Sequence, residues 1–224
     1  MASEDKRVIV VTGTPGVGKS TFSANLAEKL GALCIDLNKL IIEEGLFQEY
    51  DEARGTFVAN LPRIRRRLKE LIHRATGGYI LVEGHLSHLS VPKDSVKMAF
   101  VLRCHPEVLR KRLKARGYPD AKVAENLQAE VLDVCLVEAL ETYGDRKLAE
   151  IDLTEKTIEM AVHEAYEIIT GLRAPSFGFV DWVSRLQEEG RLEAYLKSWE
   201  KASGTGSFKK PSGKEGLPQS EAEA

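Results

Sequence analysis

Residues 13–21 read Gly-Thr-Pro-Gly-Val-Gly-Lys-Ser-Thr, and four of them, Gly13, Gly18, Lys19 and Ser20, fall at the spacing of a phosphate-cradling loop. A triphosphate needs many N–H donors converging on one point. Only a chain with little side-chain bulk wraps its backbone that closely, hence Gly13, Gly16 and Gly18. The loop then opens a helix whose first N–H groups and dipole favour anionic oxygens. Within it, Gly13, Gly16, Val17, Gly18, Lys19, Ser20 and Thr21 are the expected nucleotide contacts. Lys19 brings a point charge to the β- and γ-phosphates, Ser20 a hydroxyl for Mg²⁺, and Thr21 a contact to the α-phosphate.

A phosphate loop alone does not choose between a motor, a switch and a kinase. Leu81-Val82-Glu83-Gly84-His85 ends a strand-like run with an acid. An acid there holds Mg²⁺ through water or polarises a nucleophile, so Ser20 and Glu83 are the expected metal pair. Arg103, Arg112 and Arg116 come from a strand end, a helix and a turn. Several guanidinium groups neutralise the charge that phosphoryl transfer concentrates, and these three are expected to contact the nucleotide.

These residues must be positioned by regular elements. Strand-like runs occur at Val8–Val11, Leu33–Leu37, Tyr79–Val82, Ala99–Leu102 and Ile151–Leu153, with helical patterns between them. The alternation predicts a five-stranded parallel sheet flanked by helices, an α/β P-loop NTPase fold with ligands beyond the C-terminal strand ends. Leu61, Ile64, Leu68, Leu71 and Ala75 trace one helix face, and Gly77-Gly78 is its expected stop. Its other face carries Arg63, Arg65, Arg66, Arg67, Lys69 and Arg74, either a solvated surface or a patch for RNA or phosphate. After Arg116-Gly117-Tyr118-Pro119 a single long helix is expected through about Tyr143. Residues 173–178 read as a linker. Residues 172–201 are expected to form a C-terminal amphipathic helical extension carrying Val180, Val183, Leu186, Leu192, Tyr195, Leu196 and Trp199. Residues 202–224 are Gly-, Ser-, Lys-, Pro- and Glu-rich and are expected to be disordered.

Composition sets outer bounds. A chain of 224 residues with 43% hydrophobic content can bury a sizeable core. A net charge of −2 gives no global attraction to nucleic acid. Cys34, Cys104 and Cys135 are scattered without metal-ligand spacing and read as reduced thiols. Met1–Arg7 is charged, and no apolar run is long enough to span a bilayer, so a cytoplasmic location is expected.

Taken together, GTPGVGKST, Tyr50-Asp51-Glu52, Glu83-Gly84-His85, Val101-Leu102-Arg103, and Arg116-Gly117-Tyr118 followed by Asn126 resemble the adenylate kinase isoenzyme 6 family. The resemblance covers roughly residues 7–171, within an expected kinase domain of residues 1–171. It implies a nucleoside-monophosphate-kinase-like core with a short acceptor segment over about 36–59 and a lid over about 115–125. It implies adenylate kinase activity on ATP and AMP, ATPase activity, and a part in small ribosomal subunit maturation through a platform ribosomal protein, with pre-ribosomal RNA nearby. By the same resemblance Lys19, Glu83, His85 and Arg116 are catalytic, Glu83 and His85 form the acid-x-His motif of hydrolysis, and Lys156 borders the adenine. Two positions depart from the family pattern: Glu83 stands where eukaryotic members have Asp, and Ala59-Asn60 where an acidic pair is expected. An assembly factor with incidental kinase activity, and a kinase with another small-molecule acceptor, are the alternatives on the same fold.

Overall fold

The computed structural model describes residues 7–51, 56–76 and 78–203. Five parallel strands form the central sheet: β1 (Val8–Thr12), β2 (Leu33–Asp36), β5 (Ile80–Glu83), β6 (Val96–Arg103) and β7 (Leu148–Asp152), in the order β2-β5-β1-β6-β7. All five overlap the strand-like runs; β6 and β7 each start three residues before their runs, and β7 ends at Asp152, short of Leu153. β1 is buried throughout and alternates its side chains between the two faces. Ile9 and Val11 join the cluster beneath α1 (Lys19–Leu30), α5 (Pro106–Ala115), α6 (Asp120–Val131) and α8 (Ile158–Thr170). Val8 and Val10 join the cluster beneath α2 (Leu37–Glu43), α3 (Leu61–Arg74) and α7 (Val134–Tyr143). A one-turn helix, α4 (Ser87–Ser90), follows β5 directly.

The structure adds a ribbon absent from the sequence expectation. β3 (Phe47–Asp51) and β4 (Thr56–Ala59) pair antiparallel, with Phe47 opposite Ala59 and Tyr50 opposite Phe57. Phe47 and Phe57 approach to 4.2 Å between ring centroids, and Tyr50 meets Phe57 at 5.1 Å, cross-strand aromatic contacts that give the ribbon its cohesion. Glu52 and the rest of 52–55, which belong to the expected acceptor segment, lie outside the described residues. Asn60, one of the two departures from the family pattern, caps α3 by accepting from the Arg63 N–H at 3.2 Å.

The single long helix expected through Tyr143 is two helices. Asp133 takes a left-handed conformation with φ 56°, which ends α6 and starts α7. Its carboxylate is held by Arg103, so a long-range ion pair fixes the break. α3 ends at Arg74 with Ala75 as its cap, short of the expected glycine stop. Gly77 is outside the described residues.

The C-terminal extension forms α9 (Trp182–Glu188) and α10 (Leu192–Ser203). Val180, Trp182, Leu186, Tyr195 and Trp199 are buried in the same cluster as α5 and α6, whereas Val183 and Leu196 face solvent. Residues 173–178 are tied to the sheet edge, because Ser176 O accepts from the Glu150 N–H at 2.8 Å. The expected disordered tail falls, from residue 204 onward, outside the described residues. No described helix is long and apolar enough to cross a membrane.

Candidate active site

The loop after β1 turns because its glycines adopt backbone angles that side chains resist. At Gly13, φ 136°, an added Cβ would stand 2.4 Å from the Leu102 carbonyl oxygen. At Gly16, φ 92°, it would meet Leu113 at 2.9 Å and Leu109 at 3.0 Å. The loop is therefore pressed against β6 and α5. Lys19 is buried and donates to Gly13 O at 2.8 Å and Thr14 O at 3.1 Å. Burial lowers its pKa from the usual lysine value, while Glu83 and Glu130 act the other way.

A cleft of about 580 Å³ opens over this loop at the C-terminal ends of the strands, where ligands of open α/β sheets bind. Thr14, Gly16, Gly18, Lys19, Ser20 and Thr21 form its floor, and Glu83 and His85 border it from the end of β5. Ile41, Ile42, Phe57 and Leu86 supply an apolar part of its wall. Arg116, Tyr118, Lys122, Glu125, Asn126 and Ala129 close the third side. A larger groove of about 1220 Å³ lies at the other end of the sheet, lined by Arg7, Arg66, Lys69, His73 and Lys97 among others. It is remote from the loop, whose residues line the smaller cleft.

Glu83 is buried, and burial raises its pKa; the Ser20 hydroxyl bonded to it and Lys19 pull the other way. Asp36, its register partner on β2, raises it further. Two hydrogen-bonded hard oxygen donors beside a phosphate loop are the chemistry that Mg²⁺ takes. His85 is pushed down to about 4 by burial first, then by Lys19, His88 and Lys122. Its imidazole is neutral near pH 7. His88 is buried beneath them, its ring sharing hydrogen bonds with Thr12 Oγ1 at 2.7 Å and Glu138 at 2.9 Å.

The arginines part company. Arg116 reaches the cleft from the turn between α5 and α6. Of the expected lid over 115–125, Ala115 ends α5, residues 116–119 are that turn, with Gly117 at φ 75°, and residues 120–125 open α6. Arg112 donates to Val17 O at 2.8 Å and braces the loop from behind. Arg103 corrects the expectation of a nucleotide contact. It is 2% exposed and is absent from the cleft wall. Its guanidinium is consumed by Glu130 at 2.9 Å, Glu150 at 2.6 Å and Asp133. Burial opposes its charge, but these carboxylates hold its pKa above the ordinary arginine value. Arg103 is a buried girder beneath the site. Lys156 is ion-paired with Glu164 at 2.5 Å in the turn after β7 and does not line this cleft.

Several cleft residues carry no local motif: Ile41, Ile42, Phe57, Lys122, Glu125, Ala129, Cys135 and Glu138. One signal could have found part of them. Lys122, Glu125, Asn126 and Ala129 recur at i, i+3, i+4 and i+7, the polar face of α6 opposite buried Val123, Leu127 and Val131. Burial raises the thiols of Cys104 and Cys135 to about 12 and about 11, and Cys34, on the exposed edge strand, is raised to about 11 by partial burial and then by Glu83 and Asp36, so none is a thiolate nucleophile at neutral pH.

A glycine-rich loop between β1 and α1, an acid at the end of the neighbouring strand and a helical third wall define a P-loop kinase-type fold. Solved structures agree on the fold. Shikimate kinase from Acinetobacter baumannii, determined with shikimate, matches with a TM-score of 0.53 and 19% identity over 77% of this chain and 97% of its own. Shikimate kinase from Bacteroides thetaiotaomicron matches with a TM-score of 0.51 and 22% identity over 73% and 98%. A family model described as an AAA domain matches residues 9–133. A protein of Methanothermobacter thermautotrophicus named "Putative adenylate kinase" is 46% identical over 165 residues, 74% of this chain and 88% of that protein. One of the same name from Methanocaldococcus jannaschii is 38% identical over 185 residues, 83% and 98% of the two chains. The chain belongs to this adenylate-kinase-like P-loop family.

Proposed function

We propose that the protein transfers the γ-phosphoryl group of ATP to a nucleoside monophosphate, AMP first, and hydrolyses ATP when no acceptor is bound. One observation carries the reading: a single cleft is lined both by the phosphate-cradling loop and by apolar Ile41, Ile42, Phe57 and Leu86. The floor suits a triphosphate and the wall a base, so two nucleotides meet over Lys19. The names of the archaeal relatives point the same way. Lys19 neutralises charge on the transferred group, Arg116 acts from the turn above it, and Glu83 orients the attacking oxygen. Ser20 and Glu83 hold Mg²⁺, which when bound neutralises the phosphate oxygens. Lys156 is proposed at the edge of the adenine. Purified protein incubated with ATP-Mg²⁺ and each monophosphate in turn tests this. Transfer to AMP well above acceptor-free ADP release is the expected result, and release unaffected by any monophosphate refutes it.

A second reading makes hydrolysis the biological reaction, driving small ribosomal subunit maturation through a platform ribosomal protein beside pre-ribosomal RNA. It is supported by His85, whose neutral imidazole in the cleft suits the positioning of a water. It is also supported by exposed Glu43, Glu44 and Glu49, which stand near the basic helix α3: Arg67 grips Glu44 at 2.7 Å. A basic ribosomal tail suits the acids, and RNA suits exposed Arg63, Arg66, Lys69 and Arg74. A pull-down with the ribosomal protein, with ATP, with ADP and without nucleotide at two salt concentrations, tests this reading. Nucleotide-dependent capture that weakens with salt is expected; no complex under any condition leaves the plain kinase.

A further inference from the structure

Glu130 is not part of the cleft lining, yet it is the most heavily engaged carboxylate beneath it among the described residues. It is 2% exposed. Its Oε1 accepts from Arg103 Nε at 2.9 Å, the Cys104 N–H at 3.1 Å and the indole Nε1 of Trp182 at 3.0 Å. Three donors on one oxygen fix the plane of the carboxylate, and the other oxygen is aimed at the phosphate loop. There Oε2 accepts from Thr14 Oγ1 at 2.6 Å. Thr14 in turn offers its carbonyl to Lys19 Nζ at 3.1 Å. A path of three hydrogen bonds thus runs from an indole in the C-terminal extension to the ammonium of the phosphate loop.

The extension is anchored where this path begins. Glu150 Oε2 accepts from the N–H groups of Gly178 at 2.9 Å and Phe179 at 3.2 Å, while its Oε1 holds Arg103. Residues 176–182 therefore touch both buried carboxylates that hold the Arg103 girder. Trp182 is 2% exposed, and its ring meets His105 edge-on at 5.3 Å. We propose that Glu130 is a positioning residue for the phosphate loop and that Trp182 sets it, so that the C-terminal extension and the nucleotide site are one coupled unit. The inference rests on the reading of the cleft as a nucleotide site. By linkage, whatever the docked extension adds to nucleotide affinity, bound nucleotide returns to the docking of the extension.

Trp182→Phe removes the N–H and keeps an aromatic ring in place, and Oε1 of Glu130 still has two donors. Thr14→Val removes the other end of the path. In the full chain, each is expected to raise the dissociation constant for ADP about 5- to 10-fold, and Trp182→Phe, which lies outside the cleft lining, should keep kcat at saturating ATP and AMP within about 2-fold. Because both act through one carboxylate, the double variant should be no weaker than the worse single one. Effects that multiply would overturn the coupling. A second readout needs neither variant. The sequence holds two tryptophans, so Trp199→Phe leaves Trp182 as the sole indole. Its emission should shift on titration with ADP, over the concentration range in which calorimetry records binding. Calorimetric binding with silent Trp182 emission overturns the coupling and leaves the nucleotide reading standing. No calorimetric binding of ATP or ADP to the unaltered chain overturns both.

Discussion

The ammonium of Lys19 closes back onto the carbonyl of Gly13, six residues earlier, at 2.8 Å. The loop is thereby pre-formed around its own cation, and little reorganisation remains when phosphate arrives. Lys19→Ala should leave the fold intact and remove about 3 kcal/mol or more of transition-state stabilisation, a loss of at least about 10²-fold in phosphotransfer and hydrolysis alike. Circular dichroism and coupled assays of ADP formation check both halves. Normal turnover in a folded variant would remove Lys19 from the reaction.

Glu83→Gln separates binding from chemistry. The amide is nearly isosteric but lacks the charge that the Ser20–Glu83 pair offers a cation. ATP affinity should change less than about 3-fold and turnover fall about 10²-fold or more. Equal losses of affinity and turnover would make Glu83 a structural residue.

The site was half legible in the sequence, and the division has a physical cause. Backbone-driven features announce themselves locally. The loop 13–21 needs glycines at fixed offsets, and the strands β1, β5 and β6 are apolar runs because both of their faces are covered. Features made by long-range pairing do not. β3, Phe47-Gln48-Glu49-Tyr50-Asp51, is short, largely exposed and polar, and becomes a strand only because Phe57 meets Phe47 and Tyr50 across the ribbon. Asp133 looks like any helical surface residue until Arg103, thirty positions earlier, draws its carboxylate inward. Arg103 itself misled for the same reason: an arginine at a strand end is where phosphates bind, but Glu130 and Glu150 reach it first.

His85 should give the protein an acid-side signature. Its folded pKa is about 4 against an ordinary 6.5, so as pH falls the unfolded chain takes up the proton first. The stability carried by the neutral ring is therefore complete above about pH 6.5 and is lost between there and pH 4, at most about 3 kcal/mol. His88, also held low by burial, adds in the same direction. Urea unfolding at stepped pH should show this slope, and His85→Ala should flatten it partly. The same substitution should lower ATP hydrolysis by about 10²-fold while transfer to AMP, which brings its own nucleophile, falls less. Parallel loss of both activities would make His85 a packing residue.

Arg103 and Arg116 should fail in opposite ways. Arg103→Met leaves Glu130 and Glu150, both buried, without their common cation. Breaking a buried ion pair from one side costs about 3–5 kcal/mol, so chemical denaturation should show a large loss of stability. Arg116 is an exposed cleft residue at the end of α5, and Arg116→Ala should change stability by less than about 0.5 kcal/mol. Its effect belongs to the reaction: ATP affinity nearly kept, transfer at saturating substrates slowed, because a guanidinium on the turn over the cleft acts on the developing charge. Denaturation midpoints and saturating rates measured on both variants decide the assignment. A stable, slow Arg103→Met protein would return Arg103 to the nucleotide site, and an Arg116→Ala protein with unchanged rate would remove Arg116 from it.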